Sequence, residues 1–429
     1  MADGALVWSP DLVGYNFGVG HPMSPLRLHL TIELARALGL LEPDVVEVLE
    51  PEVCDAELLA SVHEPGYVDA VRAAESDGAT DARRGIGGED NPVFGAMHSA
   101  SARLVGSTVT AARAVWSGRV RRAFSLAGGM HHAMPGHASG FCVYNDVAVA
   151  IRYLKEAGAG RIVYLDVDAH HGDGVERVFW DDPDVVTVSV HEHPSTLFPG
   201  TGYPQDVGGP GARGSAVNVA LPAGTSDEQW LRAVEAVASP IVEAVRPDVL
   251  VTQHGSDSHG SDPLTNLAVS VDAQRAAAVM FAGLAERFAG GRWVATGGGG
   301  YEVVNVVPRA WSHVLGVVAG TPLDPGTPVP EEWRQLVHDL AEGAVATTMS
   351  DADPFTVPGT DAAPAAGPGG PAAPTAEAPA GGGTSSSGVL GGPAGRFVDG
   401  FDPENPVDRA ILATRQAVFP EHGLDPLTA

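Results

Sequence analysis

The sequence predicts an α/β protein with a central parallel sheet, helices on both faces, and an active site at the C-terminal ends of the strands. Three observations carry that expectation. Short apolar runs are continuous rather than alternating, as in strands covered on both faces. Helix-like stretches such as DEQWLRAVEAVASPIVEAV (227–245) separate several of them, as crossovers between parallel strands require. Polar residues gather directly after the apolar runs, where open parallel sheets bind their ligands.

In chain order, RRAFSLAGG (121–129) leads into GGMHHA, and RIVYLDVD (161–168) continues as AHHGDG. DVVTVSV (184–190) precedes HEHPSTLFPGTG, and SAVNVALP (215–222) is a fourth strand. PDVLVTQHG (247–255) runs into SDSHGSDP, and RWVATGGGG (292–300) ends at Tyr301. No period of 20 to 50 residues recurs, which excludes a repeat array. The composition changes abruptly after the core, so residues 1–345 are expected to form the catalytic domain. Residues 346–395 read as a Pro/Ala/Gly-rich linker with too little to bury, disordered or extended. Residues 396–429 regain helical spacing at Val407, Ala410, Ile411 and Val418, which predicts a short helix docked on the core or on a partner.

The chain has 429 residues, 44% of them hydrophobic, enough for one large domain or two smaller ones. Two cysteines, Cys54 and Cys142, provide neither a disulfide framework nor a Cys-type zinc site, and favour a reducing compartment. The N-terminus has no basic segment followed by an apolar one, and no run of about 18 apolar residues occurs, so a soluble cytoplasmic protein is expected. With 25 basic and 53 acidic residues the formal charge is −28, which argues against nucleic acid and anionic lipid as partners.

The densest polar stretch is YLDVDAHHGDG (164–174), where Asp166, Asp168, His170, His171 and Asp173 follow a buried strand. An unpartnered buried carboxylate costs several kcal/mol, so these groups demand partners or a metal. Asp168 and His170, two residues apart on extended backbone, leave the same face and can share an ion. Asp257, at another strand end, is the candidate third ligand. Three protein ligands leave an open position, the mark of a catalytic site. The donor set suits zinc, and also Fe(II) or Mn(II). His131 and His132 offer a general base and its acid or electrostatic partner, with Asp166 and Asp173 as candidates to orient them. Gly297 to Gly300 permit a sharp turn that would aim the Tyr301 hydroxyl at a developing oxyanion. The P-loop lysine is missing, which argues against a phosphate cradle.

Together these motifs resemble those of the arginase-deacetylase superfamily, specifically the zinc-dependent histone deacetylases, and among them most nearly the bacterial acetoin-utilisation deacetylases. The resemblance covers roughly residues 5 to 320, from GHPMSPLRLHLTIELARALGL through GGMHHAMPGHASGFCVYND, YLDVDAHHGDGVE, LFPGTG and QHGSDSHGSDPL to GGGGY. It implies the arginase-deacetylase fold and hydrolysis of N-ε-acetyl-lysine in proteins, releasing acetate. It makes Asp168, His170 and Asp257 the ligands of Zn2+, with Fe2+ as the alternative ion. His131 is then partnered by Asp166, and His132, the general base, by Asp173, while Tyr301 polarises the acyl carbonyl. Phe141 and Phe198, with Gly140 beside them, would sandwich the substrate's aliphatic stem. Asp90 would hold the substrate backbone at the rim, and Arg27 would border an internal channel. A K+ site of backbone carbonyls with Asp166 and Ser189 is also implied.

Implied partners are acetylated metabolic enzymes, acetyl-CoA synthetase above all. Met130 departs from the aromatic residue often found before the histidine pair. Three rivals are weighed against this reading. A deacetylase of small acetylated amines such as acetylpolyamines would carry an RPPGH-like motif where this chain reads SLAGGM; a catalytically dead reader would lack some of the ligands; and a dimetal ureohydrolase would need a second ligand pair.

Overall fold

The computed structural model describes residues 3–340, 344–352 and 397–429. Its eight strands are β1 (Gly4–Val7), β2 (Glu47–Leu49), β3 (Arg122–Ser125), β4 (Ile162–Asp166), β5 (Val185–Glu192), β6 (Ala216–Leu221), β7 (Val249–Gln253) and β8 (Trp293–Thr296). They form one all-parallel sheet in the order β2-β1-β3-β8-β7-β4-β5-β6. Every residue of β4, β5, β6, β7 and β8 is buried, which explains why these segments are apolar on both faces. One group of helices, including Met97–Trp116 and Asp146–Glu156, packs on one side. Asp227–Val245, Val271–Phe288, Val307–Val318 and Leu26–Ala37 pack in sequence over the other.

The register aligns the strand ends. Ser125 of β3 pairs with Thr296 of β8, Thr296 with Gln253 of β7, and Gln253 with Asp166 of β4. Four adjacent strands therefore stop in one polar row across the middle of the sheet. The loops that leave this row carry the histidine pair, the glycine run, Asp257 and the Asp168 segment.

Strands β1 and β2 are not among the runs read from sequence. They have four and three residues, too short for periodicity to separate them from loop, and tertiary pairing makes them strands, β1 beside β3 and β2 beside β1. The boundary at residue 345 also needs correcting. Met349 is fully buried with Leu30, Leu34, Trp333 and Val337, and Thr348 forms an antiparallel bridge to Pro328. Residues 346–352 are thus packed core and not linker, while the remainder of the expected linker, 353–395, lies outside the described residues.

Helix Pro406–Val418 begins with Asn405, whose side chain accepts from the Val407 amide, and with Pro406 in its first turn. It covers the edge strand β6 and packs on helix Asp227–Val245. Arg232 Nε donates to Asp408 Oδ1 at 2.7 Å, and Thr414 Oγ1 to the Asn218 carbonyl at 2.6 Å.

Three buried histidines outside the polar centre tie folding to pH. Burial pushes His63 and His313 down to about 4 and His254 to about 3, from an ordinary 6.5. Their folded values lie below the unfolded ones, so the unfolded chain takes up the protons first as pH falls. Stability should drop from about pH 6.5 towards pH 4, read as a falling urea midpoint, and a midpoint constant across that window would contradict the assignment.

Candidate active site

The four strand ends converge on three atoms. Asp168 Oδ1 lies 3.0 Å and Asp257 Oδ2 2.9 Å from His170 Nδ1, and these side chains can hold one metal ion with ligand atoms within 4.8 Å of one another. The other carboxylate oxygens are committed. Asp168 Oδ2 accepts from Gln253 Nε2 at 2.7 Å and from the Gly299 amide at 2.8 Å, and Asp257 Oδ1 accepts from the Ala169 amide at 2.8 Å. Asp168 Oδ1 accepts from the His170 amide at 3.0 Å, and it and Asp257 Oδ2 are both turned to the same ring nitrogen.

One Nδ1 proton cannot satisfy both oxygens, and the electrostatics register the mismatch. Burial pulls the His170 imidazole down, but Asp168 and Asp257 outweigh it and hold it well above the ordinary range. Burial and the neighbouring Asp168 charge push the Asp257 carboxyl up. A divalent cation removes the conflict at once, so the residues present fit a metal. Glycine makes the approach possible. A Cβ on Gly299 would stand 2.1 Å from Asp257 Oδ2, and one on Gly255 would stand 2.1 Å from Asp168 Oδ2.

Both rings of the histidine pair are fixed from behind. His131 Nδ1 lies 2.7 Å from Asp166 Oδ2, and His132 Nδ1 lies 2.7 Å from Asp173 Oδ1. Each Nδ1–H is thereby donated to a carboxylate, and the two Nε2 atoms face each other at 3.1 Å. One of them must carry a proton and the other a lone pair. Burial lowers His131, but Asp166 and Asp168 outweigh it and bring it up to about 9. Burial and the charge of His131 push His132 down to about 4, against Asp173. The opposite directions of the two shifts favour the shared proton on His131 and leave His132 as the acceptor.

The remaining residues singled out from sequence fall around this centre. The Tyr301 ring stands edge-on to Phe141 at 5.7 Å, and burial with the nearby Asp257 and Asp168 raises its hydroxyl well above 10. Phe198 stands edge-on to His132 at 5.1 Å. Gly140, at φ +51°, has no room for a side chain, because a Cβ would meet His132 at 2.5 Å and Phe198 at 2.9 Å. Asp90 is exposed, and its carbonyl bonds His21, whose ring packs on Phe141. Arg27 is buried, donates to the Gly298 carbonyl at 2.6 Å and lines a small cavity with Tyr15, Met23 and Met130. Ser189 stands opposite Asp166 in the sheet, but its hydroxyl is turned to His191 at 2.8 Å rather than to that carboxylate.

His171, which also lies in the stretch 164–174, bridges Thr201 Oγ1 at 2.9 Å and Glu176 Oε2 at 3.1 Å, tying the strand end to the loop that bears Phe198. Sequence reasoning missed several supports. Tyr164 donates to Asp166 Oδ2 at 2.7 Å, a contact concealed because Tyr164 reads as one more apolar strand residue. Asp146 accepts from the amides of Gly129 and Met130 and so shapes the turn before His131. Its signal was the Asn-Asp pair opening a helix. Asp262 Oδ2 accepts from the Tyr301 amide at 2.8 Å, and nothing in the sequence links those two positions.

An arginase-deacetylase fold with this centre defines a hydrolase of the deacetylase class. A family model described as the histone deacetylase domain matches residues 21–318, and the chain belongs to that family of metal-dependent deacetylases. It is 40% identical over 358 residues to the acetoin utilization protein AcuC of Bacillus subtilis, covering 82% of this chain and 91% of that one. The AcuC protein of Staphylococcus xylosus is 35% identical over 80% of this chain and 90% of its own. Among solved structures, an HDAC homologue in complex with SAHA superposes with a TM-score of 0.72 at 32% identity, covering 79% of this chain and 89% of that one. An HDAC homologue from Aquifex aeolicus gives 0.71 at 31% identity, with 81% and 94% covered.

The glycine approach makes a direct prediction. Gly299→Ala should leave the fold intact but lower divalent-metal affinity by about 10- to 100-fold, because Asp257 must swing away from the new methyl group. Chelator competition measures this, and wild-type affinity would show that the carboxylate has room to spare.

Proposed function

We propose that the chain hydrolyses the acetyl amide of N-ε-acetyl-lysine in proteins, with Zn2+ held by Asp168, His170 and Asp257. The observation that carries this reading is the oriented histidine pair directly beside the three converging donor atoms. A zinc ion held there would polarise the amide carbonyl and acidify a water, and Fe2+ fits the same donors. His132, low in pKa and aligned by Asp173, takes the proton from the attacking water. Tyr301, protonated throughout, donates its hydroxyl to the carbonyl oxygen as negative charge develops there. The leaving amine takes a proton from the histidine pair, which holds one on His131 from the start. Acetate and free lysine depart.

Specificity follows from the walls. Phe141 and Phe198 would flank the four-methylene stem of acetyl-lysine, and Gly140 keeps the passage open beside His132. Asp90 at the rim would accept hydrogen bonds from the substrate backbone. Asp166 has a second proposed duty, holding K+ together with Ser189 and backbone carbonyls. The relatives named for acetoin utilization support a metabolic substrate in the cytoplasm, and we take acetylated acetyl-CoA synthetase as the first choice. Among the described residues no helix is long and apolar enough to cross a membrane.

His132→Ala and Tyr301→Phe should each lower kcat by about 100-fold or more in a protein that still folds. Near-normal turnover in either variant would sink the assigned roles. The substrate is tested by acetate release from acetylated acetyl-CoA synthetase and from acetylpolyamines in parallel, with and without chelator. Chelator should abolish both signals, and faster turnover of the polyamines would replace protein lysine with a small amine as the substrate.

A further inference from the structure

Residues 344–352 lie beyond the part of the chain that the family model matches, yet they reach back to the loop that carries Asp257. Their path is fixed by the bridge to Pro328, by the Ala346 amide on Asn305 and by the Met349 carbonyl, which bonds the buried His313 ring at 3.0 Å. At the end of this path the Asp351 carboxylate is held from more than one side, and its amide donates to Asp272 Oδ2 at 2.9 Å. Its Oδ1 accepts from Arg309 Nη2 at 2.6 Å, and its Oδ2 from the Val271 amide at 2.7 Å and from His259 Nε2 at 2.9 Å. Arg309 is fully buried, and its Nη1 also donates to the Ser350 carbonyl, so the carboxylate cannot easily swing.

His259 is held at both ends of its ring. Nδ1 accepts from the Ser261 amide at 3.1 Å, which leaves the proton on Nε2 to be donated to Asp351. The turn built on His259 does two jobs. Asp257 stands two residues before it, and the His259 carbonyl accepts from the Asp262 amide at 2.9 Å, so the turn sets where Asp262 receives the Tyr301 amide. One carboxylate from outside the matched domain thus fixes a turn that follows a proposed metal ligand by two residues and, through Asp262, meets the backbone of the proposed electrophile.

We propose that Asp351 is a positioning residue for the deacetylase reaction, acting through His259 to set the Asp257 ligand and the Tyr301 hydroxyl in register. This rests on the roles proposed for Asp257 and Tyr301. The general worth of such an outer contact is about 10- to 100-fold in metal affinity or activity. Asp351→Asn keeps the volume but spoils the acceptor pattern that Arg309, Val271 and His259 share. His259→Asn approaches the same link from the other side: its amide oxygen can still accept from Ser261, while the reach to Asp351 is lost.

The experiment uses the full chain loaded with zinc. Both variants should lower kcat about 10- to 100-fold with KM within about twofold of wild type, and should speed zinc loss to a chelator by a similar factor. A purely structural role would instead lower the melting temperature and the folded fraction, while kcat per folded, zinc-loaded molecule and the zinc off-rate stayed at wild-type values. That result overturns the inference. If Asp351→Asn fails to fold, His259→Asn decides alone on the same criteria. Wild-type protein that neither retains zinc nor releases acetate would instead overturn the function itself, so the two failures are distinguishable.

Discussion

The structure turns on two buried carboxylates, Asp168 and Asp257, aimed at the same side of one imidazole. Like charges in a place without water are unfavourable unless a cation lies between them. The surrounding chain deepens that need rather than relieving it. Gln253 and the Gly299 amide hold Asp168, and the Ala169 amide holds Asp257, so neither can turn away to find another partner. Gly255 and Gly299 then let backbone come within reach where any side chain would collide. A dication held between the two carboxylates would relieve that repulsion.

The sheet makes this possible by ending four neighbouring strands in one row. Residues far apart in sequence meet because β3, β8, β7 and β4 are adjacent and stop together. Each contributes a different chemistry: the histidine pair, the glycine run with Tyr301, one carboxylate ligand, and the Asp168–His170 pair. The same row supplies the supports, since Gln253 and Asp166 are the last residues of β7 and β4. Asp166 holds His131 from the end of a fully buried strand. The orientation of His131 thus rests on sheet geometry, whereas Phe141 and Phe198, the proposed substrate walls, stand on loops.

Much of this was legible because the chemistry is local in sequence. Asp168 and His170 are two residues apart, His131 and His132 are adjacent, and fully buried parallel strands announce themselves as unbroken apolar runs. Strands β1 and β2 are not legible because four and three residues carry no period, and because β1 is made a strand by β3 and β2 by β1. The pairing of each histidine with its own aspartate follows from which turn faces which, a matter of topology that spacing alone does not determine. Tyr164, Asp262 and Asp351 were hidden for a related reason. Each looks ordinary beside its chain neighbours, and its partner lies on a different element. The boundary at residue 345 failed because composition reports how much a segment can bury, and in 346–352 a few residues such as Met349 are enough.

The central claim is that Asp168, His170 and Asp257 enclose one catalytic metal with the histidine pair beside it but not bonded to it. A crystal structure of zinc-loaded protein, with anomalous data on either side of the zinc edge, tests it most directly. The account predicts a single strong peak about 2.0 to 2.2 Å from His170 Nδ1 and from one oxygen each of Asp168 and Asp257, with an open coordination position facing His132. A peak bonded to His131 or His132, or no peak among the three donors, would contradict it.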